Sequence, residues 1–124
     1  MKKSFIGVIL FSFLFISCLI PKQAPNEKVE VIIKNTCNWS VNLKIEYPNY
    51  NIADTNIRLG ENDVKLNLYK GIPVNIFIKG AYDIYPKYVY IQSGVIKNQT
   101  WTFEWSTYDN CYIFMKDNVK IRIN

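Results

Sequence analysis

A chain of 124 residues has room for one domain. With about half its residues apolar and a fifth charged, it is suited to a packed core rather than to disorder. It contains no histidine, so the commonest general base near neutral pH and the commonest metal ligand are both missing. Fifteen basic and ten acidic side chains give a net charge of +5, but beyond Lys2-Lys3 they are scattered, mostly one per strand. No basic stripe is present, and no nucleic-acid partner is expected.

The chain opens Met1-Lys2-Lys3-Ser4, runs through mostly apolar residues from Phe5 to Ile16, and reaches Ser17-Cys18. A basic start followed by about a dozen apolar residues is the layout of an export signal. The lysines stay on the cytoplasmic side while the apolar run enters the membrane. Even extended to Ile20, that run is shorter than the roughly 20 residues a spanning helix needs. An ordinary signal-peptidase cut after Ala24 fits poorly, because Lys22 stands where a small residue is wanted.

Leu14-Phe15-Ile16-Ser17-Cys18 resembles the lipobox of bacterial lipoproteins, with Phe15 where leucine is usual. The resemblance covers residues 1–18. It implies a helical signal peptide over 1–17, transfer of a diacylglyceryl group to Cys18, and cleavage just before that cysteine. It therefore implies a membrane partner reached through the lipid on Cys18, and a place in the bacterial cell envelope, with the domain facing the periplasm or the exterior. Two or three acyl chains anchor stably, since each buried CH₂ contributes about 0.8 kcal/mol and one chain alone is marginal. Loss of Lys2 and Lys3 with the signal leaves 13 basic and 10 acidic side chains, a charge of +3.

Residues 18–28 hold Pro21 and Pro25 among polar residues with no apolar period, and read as a lipidated tether. The body, 29–124, is a succession of short strands separated by turn signals. Val29–Asn35 is the first. In Trp39–Tyr47, the residues Trp39, Val41, Leu43, Ile45 and Tyr47 point one way and Ser40, Asn42, Lys44 and Glu46 the other, the period of a half-buried strand. Ile57–Leu59, Val64–Leu68, Val74–Ile78, Tyr88–Gln92 and Trp101–Trp105 follow. Cys111–Met115 and Val119–Ile123 flank Asp117-Asn118, a two-residue hairpin turn. No segment of the body has a helical period. The fold expected is all-β, a small antiparallel sandwich of about eight strands, with a small closed barrel as the alternative.

Cys37 and Cys111 remain after Cys18, and an exported chain with two cysteines invites a disulfide between them. The alternative is two separate buried thiols. No metal site is expected from two thiols without histidine, and no cofactor motif is present. Ser40, Ser93 and Ser106 lack a partner base, so no catalytic residue is assigned and the chain is read as a non-enzyme.

Tyr47-Pro48-Asn49-Tyr50 and Tyr85-Pro86-Lys87-Tyr88 form a near-repeat in which a proline sits between tyrosines. Tyrosine offers a rigid apolar ring with a polar tip, so Tyr47, Tyr50, Tyr85 and Tyr88 are the candidate binding surface. Equally, these rings can plug the ends of the sandwich. The function expected is a non-catalytic binding or interaction module for a protein, peptide or glycan. A membrane-active sandwich is the alternative, and a hydrolase built on a carboxylate pair comes last.

Overall fold

The computed structural model describes residues 22–123. The signal segment, Cys18 and Asn124 lie outside them. Nine strands follow in order: β1 (Lys28–Asn35), β2 (Val41–Glu46), β3 (Thr55–Leu59), β4 (Val64–Tyr69), β5 (Val74–Gly80), β6 (Lys87–Ile91), β7 (Gln99–Ser106), β8 (Cys111–Lys116) and β9 (Val119–Ile123). They form a five-stranded sheet, β4-β1-β7-β8-β9, and a four-stranded sheet, β3-β2-β5-β6. The chain is thus an all-β sandwich, and its two sheets keep open edges instead of closing into a barrel.

Alternation along the strands explains why the sheets face each other. Val29, Val31 and Ile33 of β1, with Trp101 and Phe103 of β7 and Tyr112 and Phe114 of β8, are buried against Val41, Leu43 and Ile45 of β2 and Val74, Ile76 and Ile78 of β5. Residues between them point outward, so each sheet has one apolar face and must cover it. Aromatic rings fill the layer under β7 and β8. Phe103 stacks on Phe114 at 5.1 Å between centroids, and Trp101 meets Phe114 edge-on at 5.3 Å. No buried side-chain polar atom among the described residues lacks a hydrogen-bond partner.

All neighbouring strands run antiparallel except β1 and β7, which pair in parallel from Val31 opposite Gln99 to Asn35 opposite Phe103. Parallel neighbours need a long crossover, and here five strands and their loops separate the two. The hairpin at Asp117-Asn118 has both residues at positive φ, 50° and 65°, as a type I′ turn requires. Gly94, at φ 63°, lies so close to the Ile72 carbonyl that no side chain fits there.

The strand directions define two poles. The near pole holds the start of β1 and the loops 47–54, 70–73 and 92–98, with the turn at 117–118. The far pole holds the loops 36–40, 60–63, 81–86 and 107–110. Residues 22–27, within the expected 18–28 tether, touch the domain at two points. The Lys22 N–H donates to the Asn49 carbonyl at 2.8 Å, the Asn51 N–H donates to the Lys22 carbonyl at 2.8 Å, and Glu27 pairs with Lys70 through backbone and side chain. The N-terminal segment therefore leaves the domain at the near pole.

Candidate functional site: the far pole and the outer face of the smaller sheet

The four candidate tyrosines divide between opposite ends. Tyr47 continues the inward phase of β2 and is buried. Its hydroxyl accepts the Tyr69 N–H at 3.2 Å and its ring meets Tyr69 edge-on at 5.6 Å. Tyr50 packs partly buried against the same core, with the Lys22 ammonium 5.8 Å from its ring. Both belong to the near pole and plug it. Tyr85 and Tyr88, by contrast, are exposed beside the far pole. The structure therefore does not unite the near-repeat into one surface.

The large apolar side chains most open to solvent gather at the far pole instead. Tyr108 is 96% exposed, Tyr82 86%, Ile84 80% and Tyr85 76%, all in the loops 81–86 and 107–110. Tyr88 and Tyr90 continue the group along the outer side of β6. Tyr82, Ile84 and Tyr108 had no sequence signal beyond residue type, because only the topology brings their loops to one end.

A part-buried polar network fixes the base of the 81–86 loop. Trp39 Nε1 donates to the Tyr112 hydroxyl at 3.2 Å, and that hydroxyl donates to Asp83 Oδ2 at 2.8 Å. The same carboxylate oxygen accepts the Gly80 N–H at 2.6 Å. Gly80 is required here because a Cβ would run into the Tyr112 hydroxyl and Trp39. Burial pushes the Tyr112 phenol up to about 12, and the nearby Asp83 carboxylate adds to the shift while the Trp39 hydrogen bond opposes it. Trp39 also packs on Trp105 at 5.8 Å and on Tyr82 at 6.3 Å. Exposed tips thus stand on a rigid aromatic base.

On the adjoining crossover, Asn35 satisfies all its amide groups. It donates to the Trp39 and Leu59 carbonyls at 2.9 and 3.1 Å and accepts the Cys37 N–H at 3.0 Å. Cys37 and Cys111 are both free thiols, not the expected bridge. Cys37 lies along β7 against the Phe103 carbonyl, whereas Cys111 follows β7 on its other side. Two strand spacings put them on the order of 10 Å apart, beyond disulfide reach. They also face different sides: Cys37 packs on the core, while Cys111 alternates with inward-facing Tyr112. Burial raises the Cys37 thiol to about 11, with the Glu104 and Asp83 carboxylates adding to it.

The outer face of the four-stranded sheet carries a cleft of about 590 Å³, bordered by Pro86 of the far-pole loop. Register arranges it in rows across the strands. Arg58, Asn42 and Lys79 form the row nearest the far pole; Asn56, Lys44, Phe77 and Tyr88 the next; Glu46, Asn75 and Tyr90 the third. Lys44 lies 3.7 Å from both Glu46 and Asp54, and 4.9 Å from the centre of the Phe77 ring. A smaller cleft of about 490 Å³, lined by the 35–40 crossover with Gly60 and Glu61, opens at the far pole itself. Among the described residues no group of three Cys, Asp or Glu side chains is placed to hold a metal ion. No protein-family model, curated protein or solved structure matches the chain.

Proposed function

We propose that this protein is a lipid-anchored module of the bacterial cell envelope, held to a membrane through Cys18, whose sandwich binds a partner at its far pole and performs no chemistry of its own. The observation that carries the reading is segregation. The N-terminal segment leaves at the near pole, while the most exposed tyrosines and Ile84 stand at the other, about 25 Å away along the eight residues of β1. An anchored domain built this way presents its apolar tips away from the membrane that holds it. Large, rigid rings lose little conformational freedom on contact, so they suit recognition of a protein, peptide or glycan.

The decisive experiment is intact mass and N-terminal fragmentation of the membrane-extracted protein, alongside fractionation of Cys18→Ser. A chain starting at Cys18 with diacylglyceryl mass, and release of the variant from membranes, is the expected result. A chain starting at Met1, or an unmodified Cys18, overturns the anchor. A second reading, insertion of the tips into a foreign bilayer, is favoured by Ile84 standing between two exposed tyrosines. Flotation of Cys18→Ser with phosphatidylglycerol vesicles, abolished by Ile84→Ser, would replace partner binding with that reading.

A further inference from the structure

We infer that the cleft on the outer face of the four-stranded sheet binds a saccharide unit carrying a single acidic group, a carboxylate, phosphate or sulfate. The charge arrangement makes the case. Arg58 and Lys79 stand one strand to either side of Asn42, so their Cα atoms are about 10 Å apart and both long side chains can close on one anion above the Asn42 amide. Neither cation makes an ion pair with any described residue, whereas the neighbouring Lys44 is held by two carboxylates. Among the described residues, the one polar contact of the Arg58 guanidinium is a 3.5 Å hydrogen bond to the Ser40 hydroxyl. Two unpaired cations flanking an amide are a receptor for one negative group.

The rest of the cleft decides what that group is attached to. Phe77, with the Lys44 ammonium 4.9 Å from its ring centre, and Pro86 supply apolar lining, and Asn56 supplies an amide that can both donate to and accept from hydroxyls. A ring with C–H patches on one face and hydroxyls at its edge matches that lining. At about 590 Å³ the cleft is of the size that holds small ligands. A polyanion fits less well. Its second and third charges would run along the sheet toward Glu46 and Asp54, where the face turns acidic. A single-stranded nucleic acid needs a continuous basic track and meets that obstacle.

This inference deepens the reading of the domain as a binding module but does not depend on the anchor, so the two fail separately. The test is saturation-transfer difference NMR with the membrane-extracted protein and millimolar glucuronate, N-acetylneuraminate and glucose 6-phosphate, with glucose and a short oligothymidylate as controls. At least one acidic sugar is expected to take up saturation at its ring protons and to bind at least tenfold tighter than glucose. Arg58→Ala and Lys79→Ala are each expected to weaken it about tenfold, and Arg58→Glu to abolish it. Both positions are exposed on strands, and unchanged urea midpoints verify that the variants fold. Absence of binding by all three acidic sugars, equal binding of glucose, indifference to both substitutions, or tighter binding of oligothymidylate each overturns the inference. Absence of sugar binding by a protein acylated at Cys18 leaves the anchor standing. Sugar binding by a protein without the lipid removes only the anchor.

Discussion

Replacing Gly80 by alanine sets a methyl group against the Tyr112 hydroxyl and 2.7 Å from Trp39 Nε1. Neither atom is the end of a flexible chain. The phenol is held by Asp83 and the indole is packed on Trp105, so the strain falls on the network itself. Overpacking a filled site costs about 1–3 kcal/mol, and displacing two hydrogen bonds adds about 1 kcal/mol each. Gly80→Ala should therefore destabilise the domain by about 3–5 kcal/mol. Tyr112→Phe alone leaves Asp83 its bond from the Gly80 N–H but orphans Trp39 Nε1, a cost of about 1–2 kcal/mol. In the double variant the crowding oxygen is gone, so the second substitution should cost at least 1 kcal/mol less than it does alone. Urea unfolding followed by tryptophan fluorescence reads all four corners of this cycle. Costs that add to within about 0.5 kcal/mol would refute the idea that the Tyr112 hydroxyl is what demands a glycine at position 80.

Tyr47→Ala should cost about 3–5 kcal/mol, as for other buried aromatic residues, while Tyr85→Ala should change stability by less than about 0.5 kcal/mol. Matched urea midpoints for the two would show that both tyrosines do the same job. Asn35→Ala removes three hydrogen bonds at the crossover and should lower stability by about 2–4 kcal/mol; a loss under about 1 kcal/mol would show that water replaces them. Stability should also fall at high pH. The folded chain keeps the Cys37 proton to about 11 and the Tyr112 proton to about 12, against ordinary values of 9.0 and 10.0. Between those limits the unfolded chain binds fewer protons, so the stability present below about pH 9 is lost as pH rises toward 12. Urea midpoints across that window should drop less in Tyr112→Phe than in the parent. Peptide mapping without reductant should find Cys37 and Cys111 as separate alkylated thiols, and a peptide joining them would refute their placement on either side of β7.

Period-two patterning carried the elements well, because a strand with one buried face writes its orientation into every second residue. Trp39 to Tyr47 reads correctly in phase, and that phase puts Tyr47 on the side of Leu43 and Ile45, although the near-repeat makes it a binding candidate. Pairing order is a different matter. Nothing in residues 28–35 or 99–106 specifies that they lie side by side in parallel, since the preference arises from how all nine inward faces are covered at once. The candidate site was hidden for the same reason. Asn42, Arg58, Lys79 and Phe77 stand on three strands, and they become neighbours only in the order β3-β2-β5. The far-pole cluster likewise joins loops more than twenty residues apart in sequence.

The position of β1 has a mechanical consequence. A pull on the N-terminal segment acts roughly along the axis of β1, away from the near pole. That strand is clamped on both flanks, by six residue pairs to β4 and five to β7. Ladder bonds lie across such a load and must break together in shear instead of one after another. The Lys22 clip on Asn49 and Asn51 stands ahead of them and yields first. A membrane anchor on this segment would thus load both β1 ladders in shear, and a force-ramp experiment should meet a small early release at the clip before the sandwich gives way.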